Sequence, residues 1–207
     1  MFTPQQRTTL YPGCYGDDIV ASQPPADLPD WSRETPRAIW DPSRRLLQTI
    51  RKYQSWRERG GPFSHLMMTA WTFQHRFWSV VTGAEIPLDS EIEGGLLIPH
   101  PNGIVIHPQS KIGPNCLIFQ QVTLGTRGDS GAPVIQGRVD IGAGARVLGD
   151  VVIRDYTKIG ANALVLSSFP EGSVLVGIPA RRVGLTKKAR PKKLRTRTRT
   201  RFAAGQN

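Results

Sequence analysis

The chain carries an aliphatic residue at every sixth position across its second half. The repeat covers three stretches, 86–98, 106–124 and 135–165, and thirteen residues keep to it. They are Ile86, Ile92, Ile98, Ile106, Ile112, Ile118, Leu124, Ile135, Ile141, Val147, Ile153, Ile159 and Val165. This spacing is the hexapeptide repeat, which is typical of a β-helix.

The hexapeptide spacing has a simple geometric meaning. Each six-residue unit forms one flat side of a triangular coil, so its aliphatic side chain points into a prism and three units complete a coil. The next residue begins a corner and is often glycine, as in Ile141-Gly142. Residues one coil apart should therefore stack, and we predict pairs such as Ile106 on Leu124.

Two breaks interrupt the repeat. The first, between Ile98 and Ile106, contains His100, and the second, between Leu124 and Ile135, contains the run GTRGDSGAP. A β-helix can expel extra residues only outward, as corner loops, because its regular coils are already used for folding. We therefore expect function at the breaks.

A helical pattern precedes the repeat. Asp41-Pro42 is typical of an N-cap followed by proline at the first helical position, and Gly60-Gly61 ends this helix. Apolar residues at helical spacing are Leu46, Leu47, Ile50, Tyr53 and Trp56 in the first helix and Leu66, Ala70, Phe73 and Phe77 in the second. They predict a helical hairpin over 41–82, with an aromatic stripe that serves packing.

The hairpin and the repeat divide the chain. Residues before the hairpin are rich in proline, aspartate and serine and lack periodicity, so we expect an extended arm that Trp31 and Trp40 hold against the body. The sequence predicts four segments: an arm at 1–40, the hairpin at 41–82, a β-helix domain at 83–185 and a basic tail at 186–207.

Positive charge is concentrated in the tail. The net charge is +11, and residues 187–201 hold nine Lys or Arg and no acid, which leaves +2 for the rest of the chain. Many like charges with few apolar residues predict disorder. The tail is either a solubilising segment, which such runs usually are, or a contact for an anionic surface such as nucleic acid or a membrane. No motif residue follows Arg182, so the tail should be dispensable for catalysis.

The cysteines and the apolar stretches indicate a compartment. Cys14 and Cys116 lie far apart and form no metal or redox spacing, so we expect a reduced, cytoplasmic protein without a metal site. The first residues lack the apolar segment of a signal peptide. The longest apolar stretch carries His75 and Arg76 near its middle, so we do not expect it to span a membrane.

Four motifs together resemble one family: IPHPNGIVIHP, IFQQVTLG, IGAGARVLG and GIPARRV. With the repeat, they resemble the serine acetyltransferases of the left-handed β-helix acyltransferases, over roughly residues 44–183. The resemblance implies a mainly β fold, a left-handed parallel β-helix with a short N-terminal helical hairpin and disordered termini. It also implies an O-acetyltransferase that is a homotrimer, with acetyl-CoA in a groove between adjacent prisms.

The resemblance assigns roles to seven residues. The general base falls on His100, and the carboxylate that orients it falls on Glu85. Contacts with CoA fall on the backbone of Gly125, Thr126 and Ala143 and on the side chains of Lys158 and Arg181. These residue types suit the chemistry, because an alcohol needs a base, a carboxylate holds the second imidazole nitrogen, and cations suit phosphates. Lys158 has an equally good interpretation as a solvent-facing corner residue.

Of the two histidines near the first break, one is expected to be catalytic. His100 lies in the outward loop between Pro99 and Pro101, where a substrate can reach it. His107 directly follows the inward Ile106, so we expect a surface corner residue with no partner. A metal site on the two histidines would need a further ligand that the sequence does not supply.

The acceptor stays open between two classes. Pro99 stands where the family has an aspartate for the serine amino group, and Gly131 and Ala132 stand where it has Arg-His. The acceptor is therefore either L-serine or a related small hydroxyl compound, or a sugar or polysaccharide unit. A non-enzymatic scaffold with a basic tail is a third alternative, although it would need neither His100 with Glu85 nor a CoA groove. The ending AAGQN lacks the family's terminal isoleucine, so docking on cysteine synthase is not expected.

Overall fold

The structure, a computed structural model, describes residues 26–186. A 3-10 helix at Trp31–Glu34 precedes two α-helices, α1 at Pro42–Arg59 and α2 at Pro62–Thr82. The strands are β1 (Glu91–Ile92), β2 (Val105–Ile106), β3 (Lys111–Ile112), β4 (Leu117–Ile118), β5 (Thr123–Gly125), β6 (Val134–Ile135), β7 (Asp140–Ile141), β8 (Arg146–Leu148), β9 (Val152–Ile153), β10 (Lys158–Ile159), β11 (Leu164–Val165), β12 (Ser173–Gly177) and β13 (Ala180–Leu185).

The strands form the three faces of a prism. Face 1 has the order β1-β3-β6-β9, face 2 the order β4-β7-β10-β12-β13, and face 3 the order β2-β5-β8-β11. Strands of successive coils pair in parallel, and β13 alone among them runs antiparallel to its neighbour, β12. The chain visits faces 1, 2 and 3 in turn, so the architecture is a parallel β-helix.

Three corners join the faces, and each is a column of turns from successive coils. The arm corner joins faces 1 and 2, the His100 corner joins faces 2 and 3, and the loop corner joins faces 3 and 1. The arm corner holds residues 93–96, 113–116, 136–139, 154–157 and 170–172; the His100 corner holds 99–104, 119–122, 142–145 and 160–163; the loop corner holds 107–110, 126–133, 149–151 and 166–168.

The thirteen repeat aliphatics form the core of the prism. All of them are buried, from 0% to 6% exposed. Ile106 pairs in register with Leu124, and Ile141 with Ile159, so the predicted stacking of residues one coil apart is confirmed. The breaks of the repeat leave the inward stack intact, because the extra residues lie in the corners.

The helical hairpin covers the first coils unevenly. Helix α1 buries Leu46, Leu47 and Ile50. The aromatic stripe of α2, which we expected to serve packing, is instead open to solvent in the single chain: Phe73 is 66% exposed and Phe77 54%. The reason is that the residues α2 buries are Ser64, Trp78 and Thr82, which are not members of the stripe.

The arm lies along the arm corner through side-chain hydrogen bonds. The Asp30 N–H donates to Asn115 Oδ1 at 2.8 Å, and Asn115 Nδ2 donates to the Leu28 carbonyl oxygen at 2.7 Å. Further along the same corner, the Ala26 N–H donates to the Tyr156 hydroxyl at 3.2 Å. The arm therefore follows the corner from coil to coil.

A buried carboxylate joins the arm to α1 and to the first coil. Glu34 accepts two hydrogen bonds from the Arg51 guanidinium, at 2.9 and 3.0 Å, and one from the Leu96 N–H at 3.0 Å. Arg51 also donates to the carbonyl oxygen of Glu93 at 2.8 Å. Trp31 packs so closely on Gly94 that a Cβ there would lie 2.7 Å from the indole ring, so a larger residue would require the ring to move.

The predicted disordered tail and Cys14 lie outside the described residues. Within residues 26–186, no helix is long and apolar enough to cross a membrane.

Candidate active site

His100 lies on an open corner loop. The inward residues Ile98 and Ile104 hold the two ends of this loop, and both are buried. Gly103 returns the chain in a left-handed conformation, with φ of 70°, and its N–H donates to the Gly83 carbonyl oxygen at 2.7 Å. The residues between are expelled outward, so His100 is exposed.

The imidazole of His100 is available for chemistry. Its ring lies nearly parallel to that of Phe119 in the next coil, with centroids 6.4 Å apart and an interplanar angle of 24°. Within residues 26–186 its side chain forms no hydrogen bond, so both ring nitrogens are free to meet a ligand. A base needs this access to reach a substrate hydroxyl.

Glu85 lies on face 3, in the coil directly before that of β2. Its N–H donates to the Ile104 carbonyl oxygen at 2.8 Å, and its carbonyl oxygen accepts from the Ile106 N–H at 2.9 Å. The Glu85 side chain is exposed, and it does not hydrogen-bond to His100 within the described part of the chain. The fold thus brings the two residues to neighbouring coils of the same end of the prism without joining them.

In the later coils of the His100 corner, the backbone is partly exposed because the residues there are small. Gly142, Gly144 and Gly160 carry no side chain, and Ala143 lies among them, half-buried. The Ala143 carbonyl oxygen accepts from the Asn162 N–H at 2.8 Å, while its own N–H donates to no group within residues 26–186. Such an N–H can bind a carbonyl or amide oxygen of a ligand that lies along the corner.

The two cationic candidates flank this corner from face 2. Lys158 is the outward residue of β10, and its Nζ lies 3.2 Å from Asp140 Oδ2 in a half-exposed ion pair. Arg181 lies on β13 opposite Val176 and is exposed. Val176 in turn contacts the corner, since a Cβ at Gly160 would lie 2.9 Å from its side chain.

The remaining candidates lie across face 3. Gly125 ends β5, where its carbonyl oxygen accepts from the Gly149 N–H at 2.9 Å, and the exposed Thr126 opens the second break at the loop corner. Within one chain, the structure brings His100, Ala143 and Arg181 to one edge of the prism. It places Gly125 and Thr126 at the other edge of face 3.

Comparison with known proteins supports the predicted family resemblance. No family model matches the chain. It is 43% identical over 106 residues to a serine acetyltransferase from Helicobacter pylori, a match that covers 50% of this chain and 62% of the relative. It is 38% identical over 111 residues to a serine acetyltransferase from Mycobacterium tuberculosis, over 52% of this chain and 48% of the relative.

The chain is similar to serine acetyltransferases. It spans about half to three-fifths of the length of these two relatives. A crystal structure of a serine acetyltransferase in complex with coenzyme A, from Brucella abortus, has a TM-score of 0.62 at 28% identity and matches 71% of this chain and 58% of that one. A serine acetyltransferase in complex with cysteine has a TM-score of 0.60 at 29% identity and matches 81% of this chain and 66% of that one.

These neighbours also support the fold class of this serine acetyltransferase-like chain. The prediction of a mainly β protein, with a left-handed parallel β-helix and a short helical hairpin, is confirmed. The matches to the solved structures extend over 71% and 81% of this chain, more than the β-helix alone occupies.

His107, the second histidine of the serine acetyltransferase-like motif, stabilises its own corner. It is half-buried, and its Nδ1 accepts from the Gln109 N–H at 3.3 Å. We expected it to have no partner. This was wrong, because the ring accepts a hydrogen bond from the backbone N–H of the residue two positions later in the chain.

Phe119 and Gln120 are candidate site residues that the sequence analysis missed. Phe119 stacks on His100, and the Oε1 atom of Gln120 is buried without a hydrogen-bond partner in the described chain. A signal for Phe119 was present. It follows the inward Ile118 at the position where the next two coils have Gly142 and Gly160, so a large ring stands where the repeat favours glycine.

Two further groups in the serine acetyltransferase-like chain can be set aside. Burial raises the pKa of the Cys116 thiol to about 12, so it stays protonated and unreactive. Residues 26–186 contain no cluster of His, Cys, Asp or Glu that could hold a metal ion.

Proposed function

We propose that the chain is an acetyl-CoA-dependent O-acetyltransferase that acetylates the hydroxyl of L-serine or of a related small acceptor. Its similarity to serine acetyltransferases, one of them solved with coenzyme A, supports the reaction. The single observation that carries the proposal is His100, an exposed imidazole with both nitrogens open, above a glycine-lined corner.

The reaction follows from the base. An imidazole nitrogen of His100 removes the proton of the acceptor hydroxyl while its oxygen attacks the thioester carbonyl carbon of acetyl-CoA. The negative charge that develops on the carbonyl oxygen is stabilised by backbone N–H donors, which the glycine-rich corner offers. The tetrahedral intermediate collapses, the C–S bond breaks, and the imidazolium returns the proton to the leaving thiolate. Glu85 orients the imidazole and stabilises its protonated form.

The CoA groove in this proposal runs down the His100 corner. Ala143 supplies a backbone N–H, and Lys158 and Arg181 supply positive charge at its lower end. Gly125 and Thr126 lie at the far edge of face 3, so they complete the groove from an adjacent copy. A homotrimer of parallel prisms places these two edges together, which is why the proposal includes that assembly.

Purified full-length chain, assayed for acceptor-dependent release of the CoA thiol, tests this function. L-serine should stimulate thiol release from acetyl-CoA well above the rate without an acceptor. Production of the acetylated acceptor should match thiol release one to one. Thiol release that no hydroxyl compound stimulates would overturn the proposal. If L-serine is the acceptor, the product enters cysteine synthesis in the cytoplasm.

A sugar hydroxyl is a second candidate, because Glu85 is the one charged residue that the proposal places beside His100. Residues 94–110 and 115–126 include no Asp, Glu, Lys or Arg. A free amino acid presents an ammonium and a carboxylate that favour ionic partners, whereas a sugar is held by amides and an aromatic face such as Asn102, Gln120 and Phe119. The same assay with hexoses and hexosamines decides between the two, since the true acceptor should have the higher kcat/KM.

A further inference from the structure

Face 1 has a trough on its outer side that is lined by none of the proposed active-site residues. It has a volume of about 900 Å³. The arm residues Ala26 and Asp27 form one wall, and the end of α1 with Gln54 and Glu58 forms the other. Strands β1, β3 and β6 form its floor.

Carboxylates dominate this trough. Six line it: Asp27, Glu58, Asp89, Glu91, Glu93 and Asp155. The two cations that line it are already engaged, Arg57 with Asp89 and Lys111 with Glu91. The other four carboxylates form no ion pair within residues 26–186. The trough is thus a strongly negative site on a chain whose net charge is +11.

The described chain ends near the end of the trough that Asp155 lines. Strand β13 runs across face 2 toward the arm corner, where the Thr186 N–H donates to the Gly172 carbonyl oxygen at 2.7 Å. The Gly172 N–H donates to the Asp155 carbonyl oxygen at 2.8 Å, and Asp155 lines the trough. The chain beyond Thr186 therefore begins one coil from the negative site.

We propose that the basic segment 187–201 binds in the trough of its own chain. It carries nine cations and no acid, so its charge is complementary to the four carboxylates that form no ion pair in the described chain. The other segment outside the described residues, 1–25, has one arginine and two aspartates and does not match.

The length of the basic segment suffices for this contact. Fifteen extended residues reach up to about 50 Å, whereas two coil steps, about 10 Å, separate β1 and β6, the strands at the two ends of the trough floor. The trough lies on face 1, and His100 lies where faces 2 and 3 meet. The bound tail therefore leaves the proposed active site open. While the tail occupies the trough, it cannot bind an anionic surface such as nucleic acid or a membrane.

Zero-length cross-linking of the full-length chain tests this proposal. A carbodiimide joins lysine amines to carboxylates that touch them, and the segment offers Lys187, Lys188, Lys192 and Lys193. At low salt, the cross-linked peptides should join these lysines to Asp27 and Asp155. High salt should reduce the yield, because it screens exposed charges.

A matched pair of double variants sharpens the test. E58Q/E93Q removes two trough charges and should lower the cross-linking yield at Asp27 and Asp155 by about fivefold. D129N/D150N removes two charges at the loop corner that do not line the trough, and it should leave the yield unchanged. Equal yields in both variants would overturn the proposal, as would cross-links directed mainly to carboxylates outside the trough.

The source of the tail needs one further measurement. Chains produced separately in heavy and ordinary nitrogen, then dissociated, mixed in equal amounts and reassembled, distinguish cross-links within a chain from cross-links between chains. The proposal predicts pairs of a single label. Mixed-label pairs would show that the trough takes the tail of a neighbouring copy and would contradict it.

Discussion

Two corners of the same prism have opposite characters. The arm corner is closed: Asn115 bonds to the arm from the second coil, and Glu34 reaches back to the Leu96 N–H of the first. The His100 corner is open, with glycines and the free N–H of Ala143 below an exposed imidazole. Both corners belong to the same aliphatic stack. The difference teaches that inward residues specify the coil, whereas the outward residues of each corner decide whether it stabilises or binds.

Charged side chains are also distributed differently between the two corners. Face 1 beside the arm corner concentrates carboxylates and the ion pair of Glu91 with Lys111. The first two coils of the His100 corner have no charged side chain. Apart from the Glu85 carboxylate, which lies on face 3, a substrate at His100 is therefore met by amides, aromatic surface and backbone.

The largest effect is expected at the open corner. His100→Ala should lower the rate of acetyl transfer by about 10²–10⁴-fold, because it removes the general base. Acetyl-CoA affinity and thermal stability should hardly change, since His100 acts on the acceptor and contributes nothing to the core. Steady-state kinetics with binding measured in parallel gives both values. His107→Ala is the matched control. If His107→Ala were inactive and His100→Ala active, the roles assigned to the two histidines would be reversed.

The closed corner should respond in stability rather than in activity. Glu34→Ala leaves the Leu96 N–H and the Arg51 guanidinium without their buried acceptor, at a cost of about 2–3 kcal/mol. For a chain of this size, the loss lowers Tm by about 5–10 °C. Turnover per folded molecule should stay near that of the parent. A thermal melt and an assay at low temperature separate the two effects, and an unchanged Tm would contradict the closed-corner description.

A larger side chain in the His100 corner should weaken acetyl-CoA binding more than it slows the chemical step. Ala143→Leu places a larger side chain where the cofactor should lie, so KM for acetyl-CoA should rise about tenfold, the equivalent of one lost contact of about 1.4 kcal/mol. The acceptor KM should change little. Ala70→Leu on the exposed side of α2 is the matched substitution and should have no kinetic effect. Equal KM values in both variants would place the cofactor elsewhere.

The smallest effect lies at neither corner, where α2 meets the first coil. His75 Nε2 donates to the Ile86 carbonyl oxygen at 2.9 Å, and burial lowers the pKa of His75 below its ordinary value of 6.5. The folded state thus favours the neutral ring, so the unfolded state binds more protons below pH 6.5. The free energy of unfolding should therefore be highest above pH 6.5 and should decrease as the pH falls below 6.5. Urea unfolding at several pH values should show this slope, and His75→Gln should reduce it.

The coil architecture was predictable from sequence because its signal is local and repeated. Each inward aliphatic contacts its counterpart one coil away, so pairs such as Ile106 with Leu124 follow from the period alone. The arm contacts follow no period. Glu34 meets an N–H 62 residues away, and Asp30 meets a side chain 85 residues away. Such contacts depend on the completed surface of the prism, and a one-dimensional pattern does not encode them.

The candidate site was predictable only in part for a related reason. A break in the repeat marks His100, because extra residues must leave the prism. The relation of His100 to Glu85 depends on distances across faces, and that of Thr126 to the His100 corner depends on the proposed trimer. The exposed Phe73 of α2 shows the same limit, since helical spacing predicts an apolar side without saying what covers it.

Hydrogen exchange of the full-length chain, with and without coenzyme A, tests the contrast between the corners most directly. The account predicts that coenzyme A slows exchange at residues 142–144 and 160–163 of the His100 corner, where the Ala143 N–H is free, and leaves residues 113–116 of the arm corner unchanged. Protection confined to the arm corner, or absent from 142–144 at saturating coenzyme A, would contradict it.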